Sequence, residues 1–195
     1  MKISQQIISQ IKNGKIGVLP TDTLYGLIGQ ALKKKTVERI YKVRKRNPKK
    51  PFIILISSVR DLNLFGILLS SKEKKIFRAV WKKSVSVIIP CRREKFSYLH
   101  RGQHSLAFRL PVNPVLRRLI KKTGPLVAPS ANPEGLIPAY TSNQAKEYFG
   151  NNVDFYVDEG FMKKKPSTII RINGESFLLE REGAASRAFI DKIFK

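Results

Sequence analysis

The sequence predicts an α/β fold: a single domain with a mixed β-sheet flanked by helices. Amphipathic helical segments alternate with apolar strand-like segments along the whole chain, without repeats, low-complexity stretches or a linker. Three successive strand-like segments near the C-terminus, 153–157, 167–172 and 176–180, argue against a purely parallel sheet. The length of 195 residues suits one domain, which we expect to span residues 1–195.

Start and stop signals justify the helices in order. Ile3, Ile7, Ile8 and Ile11 share one face of a first helix, which Gly14 ends. Later helices are predicted to begin at capping residues: Thr36, Ser58 with Asp61, Ser70 with Glu73, Asn113 before Pro114, Thr141 and Ser186.

Apolar runs predict the strands that alternate with these helices. The N-terminal strands are predicted at 15–20, 52–57, 85–90 and 105–110, and a short one begins at Leu126. The sequence between them reads as turn or polar loop: PTDT at 20–23 and YLHRGQHS at 98–105.

The composition favours an anionic partner and argues against a membrane protein. Lys and Arg total 38 against 14 Asp and Glu, and the resulting formal charge of +24 attracts polyanions. The same residues could equally form a solvated face, so charge alone assigns no function. No apolar stretch approaches the ~18 residues that a membrane span needs, and the N-terminus lacks a signal-peptide core. We therefore expect a cytoplasmic protein without membrane contact.

The few cysteines and histidines argue against a metal held by protein ligands. Cys91 is the only cysteine, so no internal disulfide can form, and with only His100 and His104 there is no Cys/His cluster of zinc-site spacing. A metal would then arrive with a substrate. Both histidines are expected at the surface of a polar loop. Trp81 is expected in the core, at helical spacing from Phe77.

The common signatures of nucleotide and hydrolase sites are absent. There is no G-x-x-x-x-G-K-[ST] loop, no G-x-G-x-x-G turn and no G-x-S-x-G elbow. Neither histidine stands beside an obvious nucleophile, which argues against acyl-enzyme chemistry. What remains is a set of hydroxyl, amide and cationic side chains at strand ends: PTDT (20–23), RKRNPKKP (44–51), SVS (84–86), FRLP (108–111), PSAN (129–132) and EREGAAS (180–186).

These segments are expected to meet in one crevice, because ligands of open α/β sheets bind beyond the strand ends. Each segment also has a purely structural explanation. Thr21 and Thr23 can satisfy turn backbone groups, and so can Ser130 and Asn132. The basic run that starts at Arg44 can be a solvated helix end. Their coincidence carries more weight than any one of them.

Six segments, in this order and spacing, resemble the YrdC/Sua5 family of L-threonylcarbamoyladenylate synthases: PTDTLYGL, RIYKVRKRNPKKPFIILI, SLAFRLP, GPLVAPSANPEG, STIIRI and EREGA. They span nearly the whole chain, which resembles the short single-domain form of the family. The resemblance implies a twisted α/β domain (YrdC-like fold) with a large basic concave surface.

The resemblance also implies a reaction and its partners. L-threonine, bicarbonate and ATP condense to threonylcarbamoyl-AMP and pyrophosphate, a nucleotidyltransferase reaction in which Mg²⁺ accompanies the ATP. The product serves the N6-threonylcarbamoyladenosine modification of tRNA position 37. Separate partner proteins of the tRNA threonylcarbamoyl-transfer machinery perform that transfer.

The family motifs assign roles to individual residues. Its K-x-R motif falls on Arg44, Lys45 and Arg46, so arginine replaces the leading lysine, and Asn47 replaces a proline. Arginine offers a planar fork where lysine offers a point charge. The resemblance implies catalytic roles for Arg44, Arg46, Ser130 and Asn132. It implies L-threonine binding by Thr23, Tyr25, Arg109 and Ser167. It implies ATP binding by Arg46, Lys50, Ser86, Ser130, Asn132 and Arg181.

Two other functions stay open at this point. The same fold can serve chiefly as a binding module for double-stranded RNA or tRNA, since the presumed pocket uses only a few of the cations. Related domains in hydrogenase-maturation carbamoyltransferases adenylate carbamate instead, but they lie within long multidomain chains.

Overall fold

Nine strands of the described residues form one mixed sheet. The computed structural model describes residues 3–174 and 176–194. The strands are β1 (Gly17–Pro20), β2 (Tyr25–Gln30), β3 (Ile53–Leu55), β4 (Val85–Pro90), β5 (Ser105–Arg109), β6 (Leu126–Val127), β7 (Phe155–Tyr156), β8 (Thr168–Asn173) and β9 (Ser176–Arg181). Their order across the sheet is β7-β1-β2-β6-β3-β5-β4-β8-β9. The neighbours β1 and β7, β3 and β5, and β4 and β8 run parallel, and the other neighbours run antiparallel. The predicted mixed sheet is therefore confirmed.

Helices cover both faces of this sheet. The α-helices are α1 (Gln5–Lys12), α2 (Lys34–Val43), α3 (Ser71–Val80), α4 (Ser97–His100), α5 (Pro114–Thr123), α6 (Ser142–Phe149) and α7 (Arg187–Asp191). Short 3₁₀ helices span Val59–Phe65, Glu94–Phe96 and Gly150–Asn152. Successive strand residues point to opposite faces. In β2, for example, Leu27 joins the cluster that packs against α2 and α3, while Ile28 joins the cluster that packs against α1 and α5.

Most of the predicted helix starts are confirmed, because capping is local chemistry. Ser70 and Glu73 cap α3 reciprocally: the Glu73 N–H donates to the Ser70 hydroxyl at 3.2 Å, and the Ser70 N–H donates to the Glu73 carboxylate at 2.7 Å. The Asn113 side chain accepts from the first N–H groups of α5. Trp81 is buried at 4% exposed, as predicted.

One predicted cap is wrong. The helix α2 begins at Lys34, two residues before Thr36, and Thr36 lies inside its first turn. Thr36 is buried, and its hydroxyl donates to the carbonyl of Gly14 at 3.0 Å. The Thr36 hydroxyl therefore bonds to a residue distant in sequence, whereas the local sequence pattern predicted that it would cap the helix.

Strand β2, helix α4 and the 3₁₀ helices Glu94–Phe96 and Gly150–Asn152 were not predicted, and one histidine was misplaced. The strand β2 follows directly from the polar turn, and the short helix α4 lies within the predicted polar loop. His100 ends α4 and is only 1% exposed, so its predicted surface position is wrong. His104 is exposed, as predicted.

None of the helices among the described residues has the length and apolar character to cross a membrane.

Candidate active site

A cavity of about 790 Å³ opens at the sheet, within the usual range for small-molecule sites. Its described lining includes hydroxyl groups and aromatic rings but no Asp or Glu side chain. Seven cationic side chains line it: Arg44, Arg46, Arg109, Lys163, Lys164, Lys165 and Arg181. Such a lining favours an anionic ligand, because positive charges in a cleft reinforce one another's field.

The pairing of β2 with β6 brings the first group of site residues together. The two strands are antiparallel, and the end of β2 pairs with β6, so the start of β2 lies beside the residues that follow β6. The pairing continues past β6: the Leu27 N–H donates to the Pro129 carbonyl and the Ala131 N–H to the Tyr25 carbonyl, both at 2.9 Å. Tyr25 and Ser130 thus reach the same wall of the cavity.

The second group lies where β5 and β9 end and β4 and β8 begin. The register pairs Ser86 with Ile169, and Ile169 with Arg181. Ser86 and Ser167 are buried, and their hydroxyl oxygens lie 2.9 Å apart. Arg181 donates to the carbonyl of Ser167 at 2.8 Å. Because the sheet is mixed, site residues lie at the starts of some strands as well as at the ends of others. The sequence had predicted site residues at strand ends only.

The hydroxyls that follow β1 have different roles. The Thr21 hydroxyl donates to the Leu24 carbonyl at 2.7 Å and accepts from the N–H groups of Thr23 and Leu24, so it closes the turn. The purely structural explanation therefore holds for Thr21. The Thr23 hydroxyl also accepts from Nη1 of Arg109 at 3.2 Å, which joins the two groups of site residues.

Arg109 is a buried cation with a partly unused fork. Its Nη2 lies 3.2 Å from Oδ1 of Asp22, and both side chains are almost fully buried. Asp22 is itself held by the Ser84 hydroxyl at 2.9 Å. Burial lowers the pKa of Arg109, and the nearby carboxylate opposes that shift. The Nε of Arg109 is buried and has no hydrogen-bond partner among the described residues.

Arg44 is the second buried cation, and it clamps the loop after β6. Its Nε donates to the Asn132 carbonyl at 2.7 Å, and its Nη2 donates to Asn132 Oδ1 at 3.2 Å and to the Ser130 hydroxyl at 3.4 Å. Arg44 is 2% exposed. Burial, and then repulsion by Arg46, lower its pKa to about 10, which leaves it charged at neutral pH. Its Nη1 has no partner in the described part of the chain, and an anion in the cavity would partly compensate this buried charge.

The end of α2 places Arg44 and Arg46 side by side. Lys45 adopts the left-handed conformation at φ 49°, and the Arg46 N–H turns back to the Tyr41 carbonyl at 3.1 Å. This is the usual geometry of a helix C-terminus, although glycine is the common residue there. The Arg46 guanidinium lies over the Phe52 ring, 5.3 Å from its centroid.

Glu134 ties the same two loops together from outside. Its carboxylate accepts from the Asn47 N–H and pairs with Lys50 Nζ at 2.8 Å. Its own N–H donates to the Arg44 carbonyl at 2.8 Å. The hydrogen bond from Lys50, followed by that from Asn47, lowers the pKa of Glu134 to about 2. The loop after β6 is thus fixed to the basic run after α2.

Eight of the residues assigned by the resemblance line the cavity: Thr23, Tyr25, Arg44, Arg46, Arg109, Ser130, Ser167 and Arg181. Three assigned residues do not. Asn132 is buried, and its amide donates to the carbonyls of Pro133 and Leu136. Ser86 lies behind Ser167, and Lys50 is paired with Glu134. Asn132 and Ser86 contact the lining residues Arg44 and Ser167, and the Lys50 carbonyl accepts from Nε of Arg46 at 3.3 Å.

The lysine run 163–165 lines the cavity shortly before β8, and it was not among the site residues predicted from the sequence. Tyr25 anchors the segment that leads to it. The Tyr25 hydroxyl donates to the Gly160 carbonyl at 2.8 Å and accepts from the Glu159 N–H at 2.9 Å. Burial raises the pKa of Tyr25. The signal in the sequence was three consecutive lysines directly before the STIIRI segment.

The fold and site define an α/β domain with a cation-lined cavity at its sheet. The model of the Sua5/YciO/YrdC family, described as "Telomere recombination", matches residues 9–183. The chain belongs to this family, and the resemblance found in the sequence is confirmed.

Relatives and solved structures agree with this assignment. The threonylcarbamoyl-AMP synthase of Marinobacter nauticus is 32% identical over 169 residues, which cover 84% of this chain and 88% of that protein. The enzyme of the same name from Photorhabdus laumondii is 27% identical and covers 85% and 89%. The crystal structure of Pyrococcus abyssi Sua5 complexed with L-threonine matches with a TM-score of 0.87 at 25% identity. That match covers 99% of this chain but 58% of the other, so the chain spans little more than half of that longer protein.

Proposed function

We propose that this protein is a threonylcarbamoyl-AMP synthase of the cytoplasm, which makes threonylcarbamoyl-AMP and pyrophosphate from L-threonine, bicarbonate and ATP. The observation that carries the proposal is the cavity of about 790 Å³ with seven cations and no described carboxylate, in a chain whose relatives bear this enzyme name.

The chemistry needs positioning and charge rather than an enzyme nucleophile. The threonine amine attacks the carbon of bicarbonate, and loss of water leaves a carbamate. A carbamate oxygen then bonds to the α-phosphorus of ATP, the bond from that phosphorus to the bridging oxygen breaks, and pyrophosphate leaves. Fixed cations stabilise the charge that develops on the phosphoryl oxygens. Holding three reactants together contributes a further entropic advantage of roughly 7–11 kcal/mol in ideal cases.

The geometry supports a division of roles along the cavity. L-threonine is bound at the wall formed by Thr23, Tyr25, Arg109 and Ser167. Arg44, Arg46 and Ser130 face the reacting phosphate, and Arg181 with the lysine run 163–165 neutralises the rest of the triphosphate. Asn132, Ser86 and Lys50 act as positioning residues, because each contacts a lining residue or its loop.

The cavity is not built to hold a metal ion by itself. Mg²⁺ prefers oxygen ligands, usually one or two carboxylates together with substrate phosphates. The described lining offers no carboxylate. We therefore assign Mg²⁺ to the phosphates of the incoming ATP.

Calorimetric titration tests the proposed substrates directly. The purified chain should bind one molecule of Mg²⁺-ATP and one molecule of L-threonine. The Thr23→Ala variant should bind L-threonine more weakly and bind ATP as the wild type does. If threonine does not bind in the presence or absence of ATP, the synthase assignment is wrong.

A second candidate function rests on the charge that the cavity leaves unused. The chain carries 38 Lys and Arg residues, and seven of those that the structure describes line the cavity. We propose that the remaining basic surface contacts tRNA or double-stranded RNA while the product passes to the partner proteins of tRNA threonylcarbamoyl transfer. RNA affinity should then fall steeply with salt. An RNA affinity that does not change with salt concentration would contradict this.

The names of the relatives favour the adenylation of threonylcarbamate over the adenylation of carbamate.

A further inference from the structure

Two histidines and a glutamate converge on the connection between β4 and β5, on elements outside the cavity lining. One ring nitrogen of His100, one of His104 and a carboxylate oxygen of Glu94 all lie within 4.8 Å of one another. The two imidazole rings have centroids 5.2 Å apart. The spacing H-x₃-H of the two histidines occurs in zinc sites, and the fold of this connection brings Glu94 to them.

His100 supplies an independent indication of a ligand. The residue is 1% exposed, and its Nε2 is buried with no hydrogen-bond partner within residues 3–174 and 176–194. Its Nδ1 accepts the Gly102 N–H at 3.2 Å. Buried polar atoms in proteins are nearly always paired, so the unpaired Nε2 calls for a partner, and the same ring supplies one of the three converging ligand atoms.

We propose that Glu94, His100 and His104 bind a late divalent transition metal ion such as Zn²⁺. Two imidazoles with one carboxylate are a common three-ligand set for such ions, and a water molecule completes four-coordination. Binding through Nε2 of His100 moves the ring proton to Nδ1, at the expense of the long contact from Gly102. Gly102 has open space around it, so this turn can adjust. This inference does not depend on the proposed enzymatic function, and it departs from the sequence expectation of no protein-held metal.

The ligand set of the site selects against Mg²⁺ and Ca²⁺. Lys95 follows Glu94 in sequence, and its charge disfavours every divalent cation equally. Hard cations need several oxygen ligands, and here a single carboxylate is offered. Neutral imidazoles bind Zn²⁺, Ni²⁺ and Co²⁺ through nitrogen lone pairs. The remaining cation of this turn, Arg101, is engaged elsewhere, since it lies 3.0 Å from Glu38 and 3.9 Å from the centroid of the Tyr41 ring.

A bound ion would brace this connection against α2. Arg101 lies between the two histidines in sequence, and both of its partners belong to α2, the helix that leads into Arg44. Binding to the folded state alone raises the melting temperature by mass action. Metal binding should therefore stabilise the fold that holds Arg44, and not only the loop.

The test is titration of ZnCl₂ into the tag-free, EDTA-treated full chain, followed by calorimetry and by thermal denaturation. The wild type should bind one Zn²⁺ and melt at a higher temperature with it. Excess Mg²⁺ should leave the Zn²⁺ affinity unchanged. His104→Ala and Glu94→Gln, both at exposed positions, should each weaken binding at least tenfold, as loss of a ligand group does.

Matched variants distinguish this site from general surface binding. Gln103→Ala in the same turn and Glu147→Gln on α6 should bind Zn²⁺ like the wild type. The absence of one-to-one binding in the wild type, or equal affinity in the wild type, His104→Ala and Glu94→Gln, would overturn the proposal. Melting temperatures measured without metal show whether each variant is folded. If His104→Ala does not fold, Glu94→Gln provides the test.

Discussion

Arg44 holds Asn132 at two points, with Nε 2.7 Å from its main-chain oxygen and Nη2 3.2 Å from its side-chain oxygen. The family pattern has lysine at this position. A lysine ammonium is a single compact donor group, whereas the guanidinium fork fixes direction as well as distance. Arginine at this position therefore fastens the loop that carries Ser130, and it still leaves Nη1 free for a ligand.

We expect Arg44→Gln to lower kcat/KM for ATP by about 100-fold or more, because it removes a buried cation from the phosphate side of the cavity. Arg44→Lys restores the charge without the fork and should cost about tenfold. Steady-state pyrophosphate release measures both. Arg60→Lys, at an exposed position away from the cavity, is the matched control. If Arg44→Lys equals the wild type, the two-point contact with Asn132 has no catalytic role.

We expect Thr23→Ala to raise the KM for L-threonine about tenfold while the KM for ATP stays unchanged. The variant removes the hydroxyl that accepts from Arg109, and a hydrogen bond to a charged group contributes about 1.5–3 kcal/mol. Thr23→Ser keeps the hydroxyl and serves as the control. An unchanged threonine dependence in Thr23→Ala would remove Thr23 from the threonine site.

We expect simultaneous replacement of Lys163, Lys164 and Lys165 by Gln to raise the KM for ATP roughly tenfold and to weaken its salt dependence, because three charges leave the cavity lining. The control replaces Lys74, Lys75 and Lys82 by Gln, which changes net charge equally outside the cavity. Equal effects of the two triple variants would mean that only net charge matters.

Much of the fold could be predicted because its signals are local. The caps at Ser70 and Asn113 depend on atoms within a few residues, and the structure has both. The strand β2 was missed because its short apolar run, interrupted by two glycines, follows directly on a polar turn. His100 was misplaced because a histidine in a polar stretch gives no signal of burial.

The site was predicted less completely, since its geometry depends on tertiary contacts. The resemblance selected the residues, but not that Asn132 and Ser86 lie behind the residues that line the cavity. The lysine run 163–165 was missed because a charge run usually indicates a solvated face. Its position in the cavity follows from the anchoring of the preceding segment by Tyr25.

We expect stability to fall in acid partly through Glu134. Its pKa in the folded protein is lowered to about 2 from an ordinary 4.5, so its contribution is complete above about pH 4.5 and is lost as pH falls towards 2. Glu134→Gln should therefore have a lower free energy of unfolding in urea than the wild type at pH 6. This difference should shrink as the pH falls from 4.5 to 2. Glu147→Gln is the control. A difference that does not change with pH would contradict the lowered pKa.

The most direct test of the synthase proposal is pyrophosphate release by the purified chain with ATP, Mg²⁺ and bicarbonate, with and without L-threonine, combined with mass detection of the adenylate. The proposal predicts pyrophosphate release that requires L-threonine, together with a product of the mass of threonylcarbamoyl-AMP. Release that is independent of threonine, or bound ATP without any turnover, would contradict it.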